Sequence, residues 1–207
     1  VDKQSSFGST ALMYAAAEGH ERVVEVLMQH GAEVDLQSSD GITALMYAAL
    51  EGHERVVDLL LQRGAEINLQ DRNGVTALML AATNGHERVA ELLVQRGAEI
   101  NVQDSSGVTA LMDAARKGHE RVVDLLLQRG AEINEQGSNG STALMAAAGQ
   151  GHERVVELLL QQGANADQQN SKGVTTLMEA AGQGYERVVD SLLQRGAEIN
   201  KQDSEGH

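Results

Sequence analysis

Cysteine is absent from the 207-residue chain, so no disulfide framework, thiol nucleophile or thiolate metal site exists. Aromatic residues are scarce: one Phe, three Tyr and no Trp. Any core must therefore be built from Ala, Leu, Val and Met. No apolar run approaches the roughly 18 residues needed to cross a bilayer, and no signal-type apolar segment opens the chain. Basic residues are outnumbered 16 to 30 by acidic ones, for a formal charge of −14. That balance argues against a nucleic-acid partner, which calls for a clustered basic surface, and equally against docking on an anionic membrane. The expectation is a soluble, cytoplasmic protein.

What is present is repetition. Gly8, Gly41, Gly74, Gly107, Gly140 and Gly173 recur every 33 residues without insertion. Thr10, Thr43, Thr76, Thr109, Thr142 and Thr175 follow two residues later, placed to cap a first helix. Gly19 and its equivalents interrupt that helix. A second helix reads "ERVVEVLMQ" and its variants, and Gly31, Gly64, Gly97, Gly130, Gly163 and Gly196 stand where a left-handed residue ends it. The rest of each unit, such as "AEINLQDRNG", mixes β-branched and turn residues, with Asn73-Gly74 and Asn139-Gly140 as tight-turn pairs.

The 33-residue period, with "G-x-T-x-L", "AAxxGH", "VVxLLLxxGA" and "IN" at fixed offsets, resembles the ankyrin repeat family over essentially the whole chain. The resemblance implies an all-α repeat solenoid, right-handed and curved: stacked helix-turn-helix repeats with β-hairpin-like loops. The expected organisation is a single domain over 1–207, with a partial repeat at 1–7 and repeats at 8–40, 41–73, 74–106, 107–139, 140–172 and 173–205. Residues 206–207 would start a truncated seventh. One departure is systematic. Where the family usually has Thr-Pro-Leu-His, the copies read Thr-Ala-Leu-Met or, in the last, Thr-Thr-Leu-Met. Ala is a strong helix former, and the Met side chains are expected to fill the space of the missing His with flexible apolar atoms.

Differences between copies concentrate in two places. At about 100° per residue, the constant Ala11, Leu12, Met13, Ala15 and Ala16 span an arc of roughly 200°, while the varying Tyr14, Ala17 and Glu18 share the other side. The constant arc should face neighbouring helices and the varying arc should face outward. The second helix is the control. Val23, Val24, Val26, Leu27 and Met28 should pack between two neighbours, while Glu21, Arg22, Glu25 and Gln29 form an exposed stripe. Yet Glu-Arg is present in all six copies, and i,i+3 pairs of the Arg22–Glu25 type would account for it. Change recurs only at the loop tip, where Ser38, Ser39 and Asp40 answer to Asp71, Arg72 and Asn73.

The family resemblance implies that these two places line a concave groove that contacts partners. The expected function is therefore a non-catalytic scaffold for a protein or peptide partner. The candidate contact residues are Phe7, Tyr14, Asp40, Ile42, Tyr47, Leu50, Arg72, Leu80, Asp113, Arg116 and Lys117. Aromatics and Arg dominate interface energies, so an apolar anchor on the first three repeats and a charged contact at Arg116 and Lys117 are expected. The competing readings are relaxed constraint on the first helix, and tyrosines that merely shield it. Leu36, Leu69 and Val102 form another apolar row, better suited to packing between adjacent loops.

No cofactor or metal is expected. His20, His53, His86, His119 and His152 form a column interrupted by Tyr185. Stacked helices stand about 8–10 Å apart, whereas zinc ligands all lie about 2.0–2.2 Å from one ion, so the column suits structural hydrogen bonding. The loop "NLQDRNG" lacks the alternating carboxylates of a calcium-binding loop. Acidic residues repeat in every unit, whereas a catalytic pair would need one unique environment, so no enzyme is expected.

The chain starts within a loop at "VDKQSSFG" and stops at "SEGH", with no dedicated cap unit and with Ser191 in a leucine column. The alternative function is accordingly end-to-end self-association through uncapped terminal repeats. The near-identical framework is what recent duplication or deliberate design would leave.

Overall fold

Threonine side chains start the first helices. In the computed structural model, which describes residues 2–204, the hydroxyl of Thr43 accepts a hydrogen bond from the Met46 N–H at 3.2 Å, and the same bond recurs in every repeat. Met13 adds a return contact, its sulfur accepting from the Thr10 N–H at 3.4 Å. The chain divides by contacts into two compact units, one ending at Ser105 and the other beginning at Ser106.

The first unit holds α1 (Ala11–Ala17), α2 (Glu21–Gln29), α3 (Ala44–Glu51), α4 (Glu54–Gln62), α5 (Ala77–Thr83) and α6 (Glu87–Gln95). First helices pack on first helices, α1 on α3 and α3 on α5, and second helices on second helices, α2 on α4 and α4 on α6. The result is two layers with the core between them. The second unit repeats the scheme with α7 (Ala110–Lys117), α8 (Glu120–Gln128), α9 (Ala143–Ala148), α10 (Glu153–Gln161), α11 (Thr176–Gln183) and α12 (Glu186–Gln194). Among the described residues no strand forms. The hairpin-like loops are tight turns, with one isolated antiparallel bridge between Gln169 and Thr175. No helix is long and apolar enough to cross a membrane. Residues 206–207, read as the start of a seventh copy, lie outside the described residues.

The constant arc of the first helix is the core. Ala48, Ala49, Ala81 and Ala82 are fully buried, and their small side chains let first helices approach closely. Leu45, Met46, Leu78 and Met79 fill the space beside them, each fully buried Leu contributing about 1.5–3 kcal/mol. Ala11 and Ala181 are exposed, because α1 and α11 each have a first-helix neighbour on one side only. The same asymmetry corrects the expectation for the second helix of the first repeat. Val23 is 48% exposed and Val26 52%, since α2 has no second-helix neighbour on that side, whereas the equivalent Val56 is buried.

Neighbouring repeats are coupled through histidine. The His86 Nε2 lies 2.9 Å from the Leu50 carbonyl oxygen, and His53 and His152 make the same contact with the carbonyls of Ala17 and Arg116. The imidazole reaches that carbonyl because Gly52, at φ +77°, offers no side chain: a Cβ there would stand 2.5 Å from His86 Nδ1. Gly64 has a similar φ of +86° but open space around it, and serves only to end α4.

Two predictions follow from this packing. Gly52→Ala should cost about 2–3 kcal/mol in urea unfolding, from left-handed strain plus the displaced imidazole, while Gly64→Ala should cost only about 1 kcal/mol from strain. Equal costs would show that the ring contact contributes nothing. Thr176 takes the place of the first alanine of the helix, is fully buried, and its hydroxyl has no hydrogen-bond partner. Thr176→Ala should therefore raise stability by about 1 kcal/mol in the same assay.

Candidate partner-binding surface

The loop tips are tied together by main chain. The Ser39 N–H donates to the Phe7 carbonyl at 2.9 Å, Arg72 to Asp40 at 3.0 Å and Ser105 to Asn73 at 2.8 Å. In the second unit Ser138 donates to Ser106, Ser171 to Asn139 and Ser204 to Lys172. These bonds use no side chain of Phe7, Asp40 or Arg72, which leaves those side chains free to differ. The first-helix arc obeys the same logic, since the histidines bond to the carbonyls of Ala17, Leu50 and Arg116, all in a varying column.

None of the eleven candidate residues is buried. In the first unit Phe7 is 74% and Tyr14 58% exposed, Asp40 and Arg72 are exposed, and Ile42, Tyr47, Leu50 and Leu80 are half-buried. In the second, Arg116 and Lys117 are exposed and Asp113 is half-buried.

A cleft of about 410 Å³ brings four of them together: Phe7, Tyr14, Asp40 and Tyr47, with Ser9, Met13, Ala17, Glu18 and Ser38 completing the wall. Three of the chain's four aromatic residues thus share one cavity. Ile42, Leu50, Arg72 and Leu80 lie outside it. Glu18 was not among the candidates, although it occupies the same varying column as Lys117.

The second unit has a cleft of about 340 Å³, lined by Arg116 but not by Asp113 or Lys117. Its walls are small and polar, with Ala146, Gly149, Gln150, Glu179 and Gln183. These residues vary in the same columns as Tyr47, Leu50 and Glu51, which was the available signal for them. The Arg116 guanidinium is already engaged, 2.5 Å from the Asp113 carboxylate within α7. Of the expected charged contact, Arg116 thus has an internal partner, and Lys117 is exposed beside it.

Two side chains at the loop tip turn out to be structural. Ser38 Oγ accepts from the Ile42 N–H at 3.1 Å, and Asp71 Oδ1 accepts from the Asn73 and Val75 N–H groups at 2.8 Å. Both hold the turn closed. Of the varying tip, only the residues after them are free for contact.

The constant stripe on the second helix also forms ion pairs between repeats. Arg154 meets Glu120 of the preceding repeat at 3.8 Å and Arg187 meets Glu153 at 3.3 Å; in the first unit Arg88 meets Glu54 at 4.0 Å. In these three pairs the arginine reaches back one repeat. These exposed pairs contribute little singly, about 0–1 kcal/mol each. The row beginning at Leu36, Leu69 and Val102 is half-buried throughout. Its later members bond to the preceding loop, Lys201 Nζ donating to the Asp167 carbonyl at 2.8 Å.

The family model for ankyrin repeats matches the chain in three copies, over residues 1–71, 64–137 and 129–203. The chain belongs to the ankyrin repeat family. Ankyrin repeats are generally protein–protein interaction modules, and the fold is typically non-catalytic. A search of the curated proteins found no match.

One carboxyl of this ankyrin chain titrates abnormally. Glu135 takes the row position held by Leu36 and Leu69. A hydrogen bond with the Glu132 side chain, then burial, then repulsion from the Glu132 charge raise its pKa above the ordinary 4.5. A carboxyl whose pKa is raised on folding favours the folded state at low pH, and that contribution is lost as pH rises through the folded value. Glu135→Leu should therefore raise the melting temperature more at pH 7 than at pH 4, by a difference of about 1–2 °C. An equal gain at both values would mean that the carboxyl pair does not matter.

Proposed function

We propose that this ankyrin repeat chain is a non-catalytic scaffold that holds a protein or peptide partner on its first-helix arcs and loop tips. The contact residues are Phe7, Tyr14, Asp40, Ile42, Tyr47, Leu50, Arg72 and Leu80 in the first unit, and Asp113, Arg116 and Lys117 in the second. One observation carries this reading: side chains change from copy to copy where main-chain bonds free them, while the equally exposed Glu-Arg stripe stays constant through ion pairing. The grouping of Phe7, Tyr14 and Tyr47 around one cleft adds the aromatic anchors that dominate interface energies. The charge of −14 disfavours nucleic acid and anionic membranes as partners.

A second reading is end-to-end association of copies. It is favoured by apolar side chains left open on second helices and their loops, Val23 and Val26 in the first unit and Leu193 and Ile199 in the second. Light scattering against concentration separates the two readings, since only association raises the apparent mass.

The contact surface is tested with a partner captured by the intact chain. Tyr47→Ala combined with Leu50→Ala should weaken binding by about 30-fold or more, the equivalent of about 2 kcal/mol, while Arg88→Ala on the second-helix stripe should leave it unchanged. Unchanged affinity in the double variant, or loss in Arg88→Ala, would place the contact elsewhere.

A further inference from the structure

The cleft of the first unit combines two kinds of wall. Phe7, Tyr14 and Tyr47 supply aromatic rings, and Glu18 and Asp40 supply carboxylates. No Lys or Arg side chain lines it. Neither carboxylate has an ion-pair or hydrogen-bond partner among the described residues, although other carboxylates of this chain do: Asp58 pairs with Arg96 and Asp113 with Arg116. The tyrosine hydroxyls are likewise without partners there. Acidic side chains beside exposed aromatic faces form a complementary setting for an organic cation. The ring quadrupole attracts positive charge, and the carboxylates neutralise it.

We infer that this cleft receives a basic side chain of the partner, arginine above all. A guanidinium is planar and weakly hydrated. It stacks on aromatic faces while its N–H groups meet carboxylate oxygens, which a compact ammonium does less well. The cavity volume of about 410 Å³ is ample for such a side chain. The negative charge of the whole chain also draws a basic segment toward the cleft at long range. The inference rests on the proposed contact surface and specifies what that surface recognises at its aromatic end. In the second unit the column of Tyr14 and Tyr47 carries Asp113, Ala146 and Glu179, and no aromatic residue lines the cleft there.

The test is an NMR titration of the full ¹⁵N-labelled chain with N-acetyl-arginine methylamide and with its neutral isostere, N-acetyl-citrulline methylamide. Arginine should give saturable shifts centred on Phe7, Tyr14, Glu18, Asp40 and Tyr47, and citrulline should bind at least about threefold more weakly. Glu18→Gln with Asp40→Asn should lower arginine affinity by a similar factor. Both residues are surface groups, so the rest of the spectrum reports that the fold is intact. Equal binding of citrulline and arginine, shifts centred on the second-helix glutamates, or an unaffected double variant would each overturn the inference. Its failure is distinguishable from failure of the contact surface. A partner still weakened by Tyr47→Ala with Leu50→Ala, while arginine fails to dock, would refute only the cation site. A partner indifferent to that double variant would refute the surface, whatever the titration shows.

Discussion

Within each unit a ring lies on a glycine between neighbouring repeats, an imidazole over Gly19, Gly52 and Gly118 and the Tyr185 ring over Gly151. The ring Nε2–H donates to a carbonyl of the preceding first helix, and the missing Cβ at Gly19, Gly52 or Gly118 is what lets it come near. The bonded carbonyl belongs to a residue, Ala17, Leu50 or Arg116, whose side chain differs from one of these copies to the next. The loop ladder repeats this arrangement, with carbonyls of Phe7, Asp40, Asn73, Asn139 and Lys172 accepting from the following repeat. Specification of the stack therefore passes through the main chain of the variable positions and through the side chains of the constant ones. A residue such as Tyr47 or Arg116 can change identity without altering either ladder.

Function follows from that division of labour. The Ala-Ala pair, the Leu and Met beside it and the capping threonine are committed to packing, and substitution there changes the distance between helices. The outward arc and the tip residues after Ser38 and Asp71 carry no such duty, so the two units can bear different chemistry on one framework. The first unit presents aromatic rings and unpaired carboxylates; the second presents small and polar walls around an arginine already neutralised by Asp113. Side chains on the arc and at the tip can be exchanged while the core is left alone.

Most of the fold was legible in the sequence because its determinants are local and periodic. The threonine caps, the helix-ending glycines and the two arcs of the first helix can be read from a single repeat. The family resemblance supplied the stacking order. What escaped was what depends on a neighbour about 34 residues away. Glu120 and Arg154 look like members of separate helical stripes until the helices are side by side. Ser38 and Asp71 look like loop-tip variation because serine and aspartate both accept backbone N–H bonds, so a changed residue hides a constant role. Of the candidate site, Phe7, Tyr14, Asp40 and Tyr47 converge on one cleft, and Glu18, in the column of the candidate Lys117, joins them there. Val23 and Val26 were expected to be covered, since helical periodicity shows which side of a helix is apolar but not whether a neighbour is present.

The central claim is that variable side chains do not hold the stack together. Chemical unfolding of a triple variant, Tyr14→Ala with Tyr47→Ala and Leu80→Ala, tests it most directly when set beside the single change Ala49→Leu at a fully buried constant position. The account predicts that the three surface truncations together cost less than the one overpacked alanine, which should lose about 1–3 kcal/mol. A triple variant that unfolds at lower denaturant than Ala49→Leu would contradict it, and would place the stacking energy in the residues assigned here to recognition.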